Sequence, residues 1–212
     1  MIETPHLVAT RASYDTVAES YAELLRPDDR RWVLEQPLLG AFVELVGAGR
    51  PVADVGCGPG RVTALLDGLG VAAFGVDLSP RMVEIARRTY PGLRFDVGSM
   101  TALDLADGEL GGILAWWSIF HTPPDELPVV FGEFHRTLAP GGHVLMGFHV
   151  GDEHLRPERA YGHPVSYEAY RLRPERVAEL VGAAGLVVTT RLLWEADATK
   201  GPQACLLARK PG

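Results

Sequence analysis

The apolar residues of this chain change rhythm repeatedly, and the changes divide it into alternating strands and helices. Val52-Ala53-Asp54-Val55 is a short, nearly continuous apolar run, as a strand covered on both faces requires. Val62, Leu65, Leu66 and Leu69 then recur at helical spacing until Gly70. A second run, Ala72 to Val76, is followed by Ser79-Pro80, an N-cap with proline in the first turn, and by the stripe Met82, Ile85, Ala86, Thr89. Leu93 to Val97 predicts a third strand. After a loop with Asp104, Asp107 and Glu109 comes a fourth, Gly112 to Trp116. Pro123-Pro124-Asp125 opens a helix with Leu127, Val130, Phe131, Phe134 and Leu138 on one side, and Pro140-Gly141-Gly142 turns the chain into a fifth strand, His143 to Phe148. Strands separated by crossovers in this order predict an open parallel sheet.

The two ends follow other rules. Ser13 to Leu25 has Tyr14, Val17, Ala18, Tyr21 and Leu25 on one helical face. Asp28-Asp29 is suited to cap a second helix running toward Val46, with Trp32, Leu38, Leu39, Phe42 and Leu45 apolar and Pro37 kinking or interrupting it. Gly151 to Tyr170 is polar and aromatic without a period, and predicts a loop on the substrate side. Pro174 to Ala184 predicts a helix stopped by Gly185, and Leu186–Trp194 with Gln203–Arg209 an antiparallel hairpin.

Chemistry concentrates at the first strand. Gly56, Gly58 and Gly60 follow it as G-x-G-x-G, which lets the backbone turn sharply, approach a ligand and enter a helix at Arg61. Asp77 ends the second strand, where a carboxylate can accept hydrogen bonds from both hydroxyls of a ribose. A dinucleotide fold carries G-x-G-x-x-G instead. With Asp54 inside the preceding strand, the turn resembles motif I of class I S-adenosylmethionine (SAM) dependent methyltransferases. Gly75-Val-Asp-Leu-Ser79, Gly98-Ser-Met100 and Leu138-Ala-Pro-Gly-Gly142 match later family elements in order, so the resemblance covers roughly residues 40 to 150.

The resemblance implies an α/β, Rossmann-like, seven-stranded and mostly parallel sheet with helices on both faces, an antiparallel C-terminal strand and an N-terminal helical lid. The chain then reads as one domain: residues 1–48 as the lid, 49–150 as the SAM-binding core, and 151–212 as substrate-side loop, helix and hairpin. It further implies SAM held by Gly56, Gly58 and Gly60, by Asp77 at the ribose, Leu78 on the adenine, Ser99 and Met100 at the adenine edge, and the backbone at Trp116 near the methionyl ammonium. Asp54 either reaches that ammonium or braces the turn. Tyr14-Asp-Thr-Val-Ala-Glu-Ser-Tyr21 looks like the family's lid pattern, and its tyrosines either touch the cofactor or anchor the helix.

Composition narrows the partners. The 212 residues suit one domain, and 47% hydrophobic with 22% charged residues describes a globular chain. A net charge of −7 without a Lys/Arg cluster disfavours nucleic acid. Cys57 and Cys205 are the only cysteines, too few for a structural zinc site and in keeping with a reducing compartment. Without a leader-like N-terminus or a run long enough to span a membrane, the expected location is the cytoplasm. Oligomeric state is not legible.

The expected acceptor is therefore a small organic molecule, methylated at O, N or C. The family's acceptor pocket falls here on Trp117, Phe120, Phe148, Tyr161 and His163, although Trp117 and Phe120 equally suit core packing. His121 and His149 are the candidate proton acceptors, because imidazole titrates near neutrality. His121 also suits a helix cap. Alternatives of other classes are a nicotinamide-dependent oxidoreductase on a related sheet and a SAM-binding protein that transfers nothing.

Overall fold

A computed structural model describes residues 4–24, 32–196 and 201–212. Helices α1 (Pro5–Leu24) and α2 (Trp32–Val46) lead into β1 (Val52–Val55), α3 (Arg61–Gly68), β2 (Ala73–Asp77), α4 (Pro80–Thr89) and β3 (Arg94–Val97). Next come β4 (Leu110–Trp116), a 3-10 turn at Ile119–His121, α5 (Leu127–Thr137) and β5 (Leu138–His149). After four two-residue strands, β6 (His154–Leu155), β7 (Arg159–Ala160), β8 (His163–Pro164) and β9 (Ala169–Tyr170), the chain closes with α6 (Pro174–Ala183), β10 (Val187–Trp194) and β11 (Gln203–Arg209).

The main sheet has seven strands in the order β10-β11-β5-β4-β1-β2-β3. Strands β5, β4, β1, β2 and β3 pair in parallel, and β11 runs antiparallel between β5 and β10. This is the Rossmann-like arrangement expected. Alternation along each strand sorts the core into two layers. Ala53, Val55, Ile113, Ala115, Val144, Met146 and Phe148 pack with Phe131, Phe134, Val177 and Val181 of α5 and α6. Val52, Leu114, Trp116, Leu145 and Cys205 pack on the opposite face with Leu39 and Phe42 of α2 and Leu66 of α3.

Three elements depart from expectation. Helix α1 begins at Pro5 rather than Ser13: Leu7, Thr10 and Arg11 carry the face of Tyr14 two turns further toward the N-terminus, but Thr10 and Arg11 break its apolar stripe with polar side chains. Helix α2 runs through Pro37 without interruption; its expected Asp28-Asp29 start lies outside the described residues. The segment after β5 is built of two small ribbons, β6 with β9 and β7 with β8, rather than a plain loop.

Candidate active site

The sheet order reverses between β1 and β4: the chain leaves β1 toward β2 and β3, then returns to β4 and β5 on its other side. A crevice opens at the carboxyl ends of the strands at such a point. Here it is a cavity of about 430 Å³, walled by the ends of β1, β2 and β4, the glycine turn, α1 and the tip of the β7–β8 ribbon.

The three glycines of the turn do different work. At Gly56 (φ +79°) a Cβ would stand 2.3 Å from the Cβ of Ser118, whose hydroxyl donates to the carbonyl of Val55 at 2.8 Å. At Gly60 (φ +84°) it would stand 2.7 Å from the Phe95 ring. Gly58 (φ +53°) has only Tyr21 nearby, at 3.6 Å, so this position is open toward the cavity. Its amide donates to Oδ2 of Asp77 at 2.8 Å, and the Ser79 amide donates to Oδ1 at 2.8 Å. With a further backbone bond from Leu78, the carboxylate spends three of its roughly four lone-pair sites on the turn and keeps the remainder for a ligand. Gly60 does not line the cavity; it starts α3 and makes room for Phe95.

Two acids at this end are held above their usual range. Burial pushes Asp77 up to about 6, against the lowering effect of its bonds from the Ser79, Gly58 and Leu78 amides, with Asp15 adding to the rise. Burial likewise pushes Asp54 up to about 7, although the Thr63 hydroxyl donates to its Oδ2 at 2.7 Å. A carboxyl so placed favours a cationic ligand beside it. Cys57 is also buried, and burial raises its thiol well above the normal value, so it is no nucleophile at neutral pH.

Leu78, Ser99 and Met100 line the adjoining wall, and Arg11 of α1 reaches across to donate to the carbonyl of Leu78 at 3.2 Å. Trp116 and Glu35 line the opposite side, the indole Nε1 donating to Oε2 of Glu35 at 3.3 Å. Arg11 and Glu35 were not legible in the sequence, because single polar side chains within a helical stripe carry no periodic signal. An acid in the apolar face of α2 was the available signal.

Aromatic rings close the remaining wall. Tyr14, Tyr21, Trp117, Phe120, His121, His149 and Tyr161 all line the cavity. Tyr21 meets Tyr161 edge-on at 5.0 Å, and His149 lies 5.4 Å from Trp117 and 5.2 Å from Phe120. Trp117 and Tyr161 are the two non-glycine residues with left-handed backbone among those described, at φ +53° and +51°. For Tyr161 the cause is the β7–β8 hairpin, whose two-residue turn Tyr161-Gly162 needs positive φ at both positions. For bulky residues this costs on the order of 1–3 kcal/mol, and such strain gathers at working sites.

His121 is fixed at both nitrogens. Its Nδ1 lies 3.0 Å from the carbonyl of Glu168 and its Nε2 lies 2.7 Å from the hydroxyl of Tyr14. Burial pulls its pKa down to about 4, so the ring is neutral at physiological pH.

Two expected acceptor residues stand elsewhere. Phe148 is fully buried in the layer beneath α5 and α6, because strand alternation sends 148 and 149 to opposite faces and His149 takes the cavity side. His163 sits on the return strand of the hairpin, outside the cavity, where Nε2 lies 2.9 Å from the Ser20 hydroxyl of α1.

Residues 52–142 match the model of a methyltransferase domain family. The demethylmenaquinone methyltransferase of Chlorobaculum parvum is 34% identical over 149 residues, which is 67% of this chain and 60% of that protein. Phosphoethanolamine N-methyltransferase 3 of Arabidopsis thaliana is 32% identical over 112 residues, 50% of this chain and 22% of that one. The chain thus spans about 60% or less of the length of these relatives. Among solved structures, the 1,6-didemethyltoxoflavin-N1-methyltransferase of Burkholderia thailandensis, with 1,6-didemethyltoxoflavin and S-adenosylhomocysteine (SAH) bound, shares the fold at a TM-score of 0.76 and 20% identity, covering 100% of this chain and 92% of that one. The magnesium protoporphyrin IX methyltransferase of Synechocystis with bound SAM does so at 0.72 and 14%, covering 99% of each.

Proposed function

We propose that this chain, which belongs to the class I SAM-dependent methyltransferase family, binds SAM at the glycine turn and methylates a small organic acceptor held among the aromatic rings. The observation that carries the reading is the joint between the turn and Asp77: the Gly58 amide orients a carboxylate that still has lone-pair capacity to offer, beside a glycine without a side chain to fill the space. These residues fit an adenosyl group. Asp77 would accept from the ribose hydroxyls, Leu78, Ser99 and Met100 would border the adenine, and Asp54 and Glu35 supply carboxylates toward a cationic methionyl end.

SAM supplies an electrophilic methyl group on a sulfonium. The chain's part is to orient and to exclude water, which in methyl transfer accounts for much of the rate. Aromatic faces suit both tasks, since they stack on flat acceptors and attract a cation. Tyr14 and Tyr21 bring the lid helix into that wall, so the helix closes the site while contributing to it. We place the protein in the cytoplasm, in keeping with its two buried free cysteines. No helix among the described residues is long and apolar enough to cross a membrane.

Calorimetric titration with SAH tests the first half of the proposal, and release of SAH from SAM in the presence of phenol, amine and N-heterocycle panels tests the second. Micromolar SAH binding that weakens at least about tenfold in Asp77→Ala is expected, corresponding to about 1.4 kcal/mol. A wild-type protein that ignores SAH would overturn the reading.

A further inference from the structure

The hydrogen bonds around His121 admit one direction only. A backbone carbonyl accepts and never donates, so the contact with Glu168 requires the proton on Nδ1 of His121. A neutral imidazole then has a lone pair at Nε2. The 2.7 Å contact with Tyr14 is therefore a bond that the phenol donates. Burial keeps the ring neutral down to about pH 4, so the polarity holds across the physiological range.

Tyr14 is held in this orientation from several sides. Its ring stacks on Tyr167 at 5.7 Å and meets His121 edge-on at 5.1 Å. Nearby, the Ser13 hydroxyl accepts from the amide of Ser166, tying α1 to the segment that supplies Glu168. Tyr14 and His121 both line the cavity, and the proton of the Tyr14 hydroxyl is already committed to His121. What the hydroxyl has left to offer a ligand is lone pairs.

We infer that Tyr14 is the hydrogen-bond acceptor for the methyl-accepting molecule, with His121 as the positioning residue that turns the phenol that way, and that the site selects flat molecules bearing a donating O–H or N–H. The inference rests on the methyltransferase reading above for its ligand. An ether or a fully substituted nitrogen at the same place would set lone pairs against lone pairs, the kind of mismatch that polar sites reject most strongly.

The test is binding, not turnover. SAH-saturated protein is titrated with 2-naphthol and with its methyl ether, 2-methoxynaphthalene, followed by naphthalene fluorescence. Wild-type protein should prefer the naphthol about five- to tenfold, the worth of one neutral hydrogen bond. Tyr14→Phe should lower that preference to within about twofold. His121→Leu should do the same by a different route, because the freed Tyr14 hydroxyl can now donate to the ether and tighten its binding. Circular dichroism and the SAH titration report whether each variant is folded. Equal binding of the two probes to wild type, failure of both to bind, or a preference that survives in Tyr14→Phe would overturn the inference. Absence of SAH binding to wild type would instead sink the methyltransferase reading.

Discussion

At the scale of single residues, the site trades local comfort for shape, and substitutions can separate the two. Gly56→Ala would drive a Cβ to 2.3 Å from that of Ser118 at a left-handed φ, so we expect a loss of about 3 kcal/mol or more in urea unfolding. Gly58→Ala meets nothing closer than 3.6 Å and carries only the φ cost, about 1–2 kcal/mol. Its methyl group nevertheless enters the cavity, so SAH affinity should fall at least about tenfold in a folded protein; normal affinity would remove Gly58 from the cofactor wall. Tyr161 makes the opposite trade. Asparagine suits the first position of its turn far better than tyrosine, so Tyr161→Asn should raise stability by up to about 1 kcal/mol while weakening acceptor binding, and a variant both less stable and equally active would contradict this. The G-x-G-x-G spacing announced the turn, but not which glycine does which job, because that depends on Ser118, Phe95 and Tyr21, which come from three other parts of the chain. Asp77 was legible in the sequence as a candidate ligand; its brace on Gly58 and Ser79 was not, and it implies that Asp77→Ala also loosens the fold.

Among elements, α1 supplies one wall of the cavity. Asp15, next to Tyr14, accepts from the Ser79 hydroxyl at 2.6 Å and from the Arg81 amide at 3.1 Å, so α1 supplies a cap to the start of α4. Asp15→Ala should cost about 1–2 kcal/mol and speed amide exchange in α1 and the first turn of α4, leaving the sheet unchanged. Glu19→Ala is the control: its ion pairs with Arg81 and Arg88 are exposed and screened by solvent, and their loss should leave exchange alone. If both variants behave alike, the cap is not what anchors α1. The tyrosines of α1 were visible in the sequence because they lie on an apolar stripe. Its first two turns were not, since Thr10 and Arg11 interrupt that stripe with polar groups that face the cavity. The same blindness hid the β7–β8 ribbon, where two-residue strands are too short to show a period and Tyr-Gly is a poor imitation of the usual hairpin turn.

Over the whole molecule, the parallel sheet followed from the alternation of strands and crossovers and its antiparallel C-terminal strand from the family resemblance, whereas the fates of Phe148 and His149 followed from register, which one strand read alone does not fix. The same sheet collects acids at one end of a chain of net charge −7 and buries two of them, and that arrangement sets the response to pH. Asp54 rises from its ordinary 3.8 to about 7 and Asp77 from 3.8 to about 6, both chiefly through burial. Folded protein therefore holds protons that unfolded protein has released. Their favourable contribution is complete below about pH 3.8 and is lost as pH climbs through 6 and then 7, so the ligand-free fold weakens over that window. A cationic ligand reverses the preference, because ionised carboxylates attract it and protonated ones do not. SAM binding should accordingly expel protons near pH 6, and its affinity should climb at least about tenfold between pH 5.5 and 8, up to tenfold per pH unit for each proton released. Titrations in two buffers of different ionisation enthalpy count those protons directly. Asp54→Asn should flatten the upper part of the rise, and a wild-type affinity indifferent to pH would mean that neither carboxyl senses the ligand.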